Sequence, residues 1–161
     1  MERFRLRQKI LSWGDDYVVK DQDGRERFFV DGKVFTLRNT LVFEDMRGNA
    51  LARIQQRILA WGPTFEIERD GNLAAVVRKH LSTLFRCSFG VDVPGPDDLE
   101  AQGSLFDCEY EFTRRGRRVA EVSKRFFAFS DTYGLEIEDG EDAVLLLAAT
   151  VVIDPCCHEK K

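Results

Sequence analysis

The residues from Ala143 to Ile153 form an unbroken apolar run whose only polar member is Thr150. This run constrains the fold more than any other feature of the chain. Asp139, Glu141 and Asp142 precede it, and Asp154-Pro155 follow it. Acids at the front suit the positive end of a helix dipole, central leucines and alanines favour helix, and the residue before a proline is biased away from helical backbone. These signals predict a central helix over about residues 141–153, stopped at Asp154-Pro155. The β-branched tail Val151-Val152-Ile153 also suits a buried strand. As a helix the apolar part is about 16 Å long, at about 1.5 Å per residue. A bilayer span needs about 20 residues, so the run is too short to cross a membrane. It has no polar face, so protein must surround it.

The rest of the chain supplies strands to do so. Phe4, Leu6 and Ile10 alternate with Arg3, Arg5, Arg7 and Lys9, the split that a strand's two faces require. Turn signals then recur at Asp23-Gly24, Asp31-Gly32, Arg47-Gly48-Asn49, Trp61-Gly62-Pro63, Asp70-Gly71-Asn72, Val93-Pro94-Gly95-Pro96 and Arg114-Arg115-Gly116. Short strands at this spacing read as an all-β sandwich or barrel. A closed barrel encloses the helix most simply, and closure removes sheet edges that invite aggregation. An internal repeat adds to this. At an offset of 68 residues Gly48, Ala52, Arg57 and Ala60 meet Gly116, Ala120, Arg125 and Ala128. At the same offset Trp61 meets Phe129 and Phe65 meets Tyr133. Two β-meanders, with Trp61 and Phe129 in equivalent places, are the expectation. The length of 161 residues, 43% hydrophobic and 32% charged, fits one ordered domain over residues 1–161.

Several segments resemble a known family. They are Leu11-Ser12-Trp13-Gly14-Asp15, Val30-Asp31-Gly32-Lys33-Val34-Phe35, and Gly116 with Val119-Ala120-Glu121-Val122-Ser123-Lys124-Arg125. The most distinctive is Asp131-Thr132-Tyr133-Gly134-Leu135-Glu136-Ile137, followed by Gly140-Glu141-Asp142 and the apolar run. In order and spacing, over nearly the whole chain, these resemble the LURP-one-related family. The resemblance implies a Tubby C-terminal-like fold, shared with phospholipid scramblases: a closed antiparallel barrel of about twelve strands around a buried C-terminal hydrophobic helix. It also brings in relatives that bind phosphoinositides or act at membranes, and plant members linked to defence. It implies no catalytic set. No phosphoinositide-binding residue of Tubby proteins and no scramblase calcium motif maps onto this chain.

The residues themselves offer little chemistry. His80 and His158 are the only histidines, and neither sits in a nucleophile motif. Cys156-Cys157-His158 suggests a metal, but adjacent cysteines diverge and no second ligand pair lies at a standard spacing. Cys87 and Cys108 complete the cysteines, which form no C-x-x-C pair and read as free thiols. The acids Asp97, Asp98 and Glu100, and Glu136 through Asp142, read as a solvated loop and helix-start electrostatics. No phosphate-binding glycine motif occurs. The expectation is therefore a non-enzymatic protein without cofactor or metal. The formal charge of −4 and pI of about 5.3 disfavour nucleic acid as a partner. MERFRLRQKI lacks the apolar core of a signal peptide, so a cytoplasmic protein is expected, peripheral to a membrane if it binds lipid. The basic cluster of Arg114, Arg115, Arg117 and Arg118 around one turn is the candidate site for anionic lipid or phosphoinositide, at about 1 kcal/mol per cation. The alternative is a soluble scaffold or regulatory protein whose surface binds another protein.

Overall fold

The computed structural model describes residues 1–7, 16–32, 40–57, 62–80, 88–104, 109–126 and 132–158, with backbone alone at Arg7, Tyr17 and 154–158. Its strands are β1 (Glu2–Arg7), β2 (Tyr17–Asp21), β3 (Glu26–Asp31), β4 (Thr40–Asp45), β5 (Ala50–Arg57), β6 (Thr64–Arg69), β7 (Asn72–His80), β8 (Ser88–Asp92), β9 (Leu99–Ser104), β10 (Glu109–Arg114), β11 (Arg117–Ser123) and β12 (Thr132–Ile137). Each pairs antiparallel with its sequence neighbour. β1 closes the ring on β12, from Glu2 opposite Ile137 to Arg7 opposite Thr132. The result is the expected closed twelve-stranded antiparallel barrel with one C-terminal helix.

Alternation decides which side chains enter the lumen. Phe4, Leu6, Ile54, Phe65, Ile67, Val77, Phe89, Phe112, Val122 and Leu135 point inward and are buried, while the charged residues between them face out. Four hairpins slip register by one residue, at Arg27, Leu51, Ala74 and Val119. Such bulges bend and twist a strand, which helps a sheet close on itself. They also turn two successive residues toward the core, as with Val119-Ala120. Tight turns join the strands at one end of the barrel. Arg115 (φ 52°) and Gly116 (φ 76°) both take left-handed backbone, the twist that a two-residue hairpin favours. Asp70 and Gly71 do the same between β6 and β7.

The 68-residue offset relates elements as well as residues. β6 and β12 begin and end at that spacing, the bulges Leu51 and Val119 share it, and Ala52, Ile54, Phe65 and Ile67 correspond to Ala120, Val122, Tyr133 and Leu135, all buried. Trp61 and Phe129 lie outside the described residues.

The helix α1 (Ala143–His158) runs from the tight-turn end through the lumen and packs on β5, β6, β7 and β12. Every residue from Leu145 to Ile153 is buried. Thr150 is accommodated because its hydroxyl donates to the Leu146 carbonyl at 2.8 Å, inside the helix itself. Both helix ends differ from the sequence expectation of 141–153. Asp142 is the N-cap, its carboxylate accepting from the Leu145 amide at 3.1 Å, so helical backbone starts at Ala143. The far end passes through Pro155 to His158. Proline's fixed φ is compatible with helix, and although Pro155 leaves the Val151 carbonyl without its N–H partner and crowds it, the helix continues past it. Among the described residues no helix is long and apolar enough to cross a membrane.

Candidate functional site

The basic turn between β10 and β11 is less free than its composition implies. Arg114 lies half-buried, its Nη1 donating to both Glu141 carboxylate oxygens at 2.9 and 2.7 Å, and its Nε to the Asp97 carbonyl at 3.3 Å. Arg115 pairs with Asp97 at 2.7 Å, and Arg118 with Glu121 at 2.9 Å. Arg117 is exposed and has no ion pair among the described residues. The turn therefore gathers all four arginines, but acids of the same chain neutralise three of them. Asp98 serves its own loop, accepting from the Val93 amide at 2.9 Å.

A second surface is built by register. On the outer faces of β9 to β12, Gln102 lies opposite Glu111, Glu111 opposite Glu121, and Glu121 opposite Glu136. Like charges directly opposite each other destabilise a sheet by up to about 1 kcal/mol per pair. Arginines offset this for two of the three glutamates. Arg118 and Arg125 hold Glu121, at 2.9 and 3.2 Å. Arg3 of β1 donates to Glu136 through Nε at 2.9 Å and through Nη2, and its guanidinium lies 4.7 Å from the centre of the Phe126 ring. Among the described residues the Glu111 carboxylate has no ion pair or hydrogen bond. Next to it, Glu109 accepts from the Ser123 hydroxyl at 2.7 Å and the Lys124 amide at 2.8 Å. Gln102, Glu109, Glu111, Glu121 and Arg125 line an open groove of about 400 Å³. Arg125, with its side chain 77% exposed, reaches across one side, 3.2 Å from Glu121 and 3.8 Å from Glu109. The groove thus presents carboxylate oxygens already arranged around a guanidinium, with Glu111 left over.

Nothing in the motif spacing of the sequence marks this face. The alternation Glu109-Tyr110-Glu111 was the available signal for the β10 part of it. His80 ends β7 with its Nε2 3.8 Å from Glu100 across the sheet. It reaches there because the intervening residue is Gly90, where a Cβ would stand 3.1 Å from that nitrogen. Cys87 and Cys108 lie outside the described residues, and Cys156, Cys157 and His158 are described in backbone only, as successive helical positions. Neighbouring positions on a helix do not face each other. Among the described residues no group of three or more His, Cys, Asp or Glu side chains converges as metal ligands would.

Residues 2–154 match the model of the LURP-one-related family. The chain belongs to that family. It is similar to YxjI of Bacillus subtilis, a protein of uncharacterised function, with 30% identity over 149 residues covering 92% of this chain and 90% of YxjI. A crystal structure of an Arabidopsis thaliana protein superposes with a TM-score of 0.69 at 15% identity, covering 94% of this chain and 90% of that one. That likeness bears on fold alone, and the fold is Tubby-like, as the resemblance implied. Within this LURP-one-related barrel the helix runs through the lumen, and the groove lined by Glu111 and Glu121 lies on the outside.

Proposed function

We propose that the protein is a non-enzymatic binding module whose outer face on β9 to β11 docks a basic segment of a partner protein. The observation that carries this reading is the carboxylate row of Glu111, Glu121 and Glu136 beside the 400 Å³ groove, with Glu111 unneutralised. A partner's arginine or lysine would take the place beside Glu111 that no residue of the described chain takes. The bidentate match of guanidinium to carboxylate favours arginine. Two further points support a binding role. Among the described residues the buried lumen around α1 is lined by apolar side chains, which offer no acid, base or nucleophile. His80 stands on the exterior beside Glu100, and among the described residues no nucleophile is joined to it.

Anionic lipid is the second reading, and exposed Arg117 favours it. The pairing of Arg114, Arg115 and Arg118 weakens it, because those cations would have to give up acids already in contact. Two arms separate the readings. In the first, an arginine-rich peptide is titrated into the full chain at low salt; the first reading expects saturable binding that Glu111→Lys removes and that weakens with salt. In the second, the chain is floated with phosphoinositide vesicles. Flotation lost on replacing Arg115 and Arg117 by Glu, together with no peptide binding, would reverse the order of the two readings.

A further inference from the structure

The segment between β12 and α1 crosses the mouth of the barrel. The Glu138 amide donates to the Val119 carbonyl of β11 at 2.9 Å, and the Glu141 amide closes a turn on the Glu138 carbonyl at 3.3 Å. Glu141 then takes the Arg114 guanidinium at the end of β10. One residue later, Asp142 meets Nη1 of Arg69 at 2.5 Å. Arg69 ends β6, six strands round the ring from β12 and so on the opposite wall. Asp142 divides its carboxylate, with Oδ2 on Arg69 and Oδ1 on the Leu145 amide, while its carbonyl receives the Leu146 amide. The same residue therefore fastens the segment to the far wall and caps the helix.

These fastenings are independent of the apolar packing that holds the middle of α1. Ala143 and Val144 are only partly buried, so the first turn leans on the lumen less than the residues after it. We propose that residues 138–142 form a strap, buckled by Arg114–Glu141 and Arg69–Asp142, that governs how readily the first turns of α1 open from the barrel while the strands stay closed. The Arg114–Glu141 pair is the more sheltered buckle, at 29% and 19% side-chain exposure. The Arg69–Asp142 pair, at 33% and 45%, is the one that salt loosens first. The strap makes a barrel with a movable plug at one end, and Arg114 acts as a positioning residue within it.

Native-state hydrogen exchange on the full chain reads the strap directly, since local opening and global unfolding separate by segment. In Arg69→Gln/Arg114→Gln the amides of Leu146 to Ala149 should exchange about tenfold faster or more, as expected for losing two partly sheltered ion pairs. The amides of Val77 and Leu135 in the wall should keep their wild-type rates. Reversing one buckle, Arg114→Glu with Glu141→Arg, should restore most of the helix protection lost in Arg114→Glu alone. If the double variant does not fold, Arg69→Gln alone carries the same comparison with a smaller factor. Helix amides unchanged, helix and wall amides accelerated equally, or no recovery in the reversed pair would each overturn the proposal.

Discussion

Leu147 lies in the second turn of α1, in the middle of its apolar run, with no exposed surface, and truncating it tests whether the helix is a structural plug. Leu147→Ala removes three carbons, worth roughly 2 kcal/mol at about 0.8 kcal/mol per buried methylene. A cavity adds to this unless the surroundings collapse into it. Here collapse is opposed by the fold: the wall around α1 is a continuous ring of paired strands, which cannot move in at one point without breaking its ladders. The total should therefore fall at about 3–4 kcal/mol, in the range measured for buried Leu→Ala changes. For a chain of this size, each kcal/mol moves the melting temperature by about 2–4 °C, so a fall of roughly 6–16 °C is expected. Urea unfolding followed by circular dichroism gives the free energy, and an unchanged m-value would show that the native surface is preserved. Val144→Ala, at the partly buried mouth, should cost distinctly less. A loss below about 1 kcal/mol for Leu147→Ala would mean that α1 is not enclosed, and the lumen argument would fail.

Three further outcomes follow from single side chains. Asp45 closes the β4–β5 turn by accepting from Asn49 Nδ2 at 2.8 Å and from the Arg47 and Asn49 amides at 2.9 Å each, and its pKa is lowered chiefly by the Asn49 side chain. A depressed carboxyl pKa stabilises the fold above the unfolded value and ceases to do so as pH falls through the folded value, so the stability gap between wild type and Asp45→Ala should be full at neutral pH and shrink on acidification below about pH 4. Arg114→Ala should lower stability by roughly 1 kcal/mol by leaving Glu141 unpaired, whereas Arg117→Ala should stay within about 0.5 kcal/mol, both measured by urea melts. His80→Ala should leave the melting temperature nearly unchanged, and should also leave turnover intact in any activity found by substrate screening; loss of turnover with the fold preserved would overturn the non-enzymatic reading.

The parts legible in the sequence were those set by local chemistry. An apolar run with no polar face demands enclosure wherever it sits, and the Asp-Gly and Arg-Gly turns need left-handed backbone at Asp70-Gly71 and Arg115-Gly116. The number of strands came from the family resemblance, since alternation alone does not count walls that long connections separate. The far helix end was misjudged at Pro155, past which the helix continues to His158. The candidate site was the least legible. The four arginines at the β10–β11 turn are contiguous in sequence, yet Glu141 and Asp97, which neutralise two of them, come to the turn from other segments of the fold. The acidic row is the converse case. Glu111, Glu121 and Glu136 are each an ordinary outward residue of its own strand, and only the register beyond the Val119 bulge sets them side by side.

On the proposed function, this LURP-one-related barrel binds a cationic partner on its β9–β11 face. An NMR titration of the isotope-labelled full chain with an arginine-rich peptide at low salt tests it most directly. The account predicts shifts concentrated at Gln102, Glu109, Glu111 and Glu121, displacement of the Arg125 side-chain signal from its Glu121 contact, and loss of the response in Glu111→Lys. Shifts that gather instead at the 114–118 turn on adding phosphoinositide vesicles, with the acidic face silent to peptide, would contradict it.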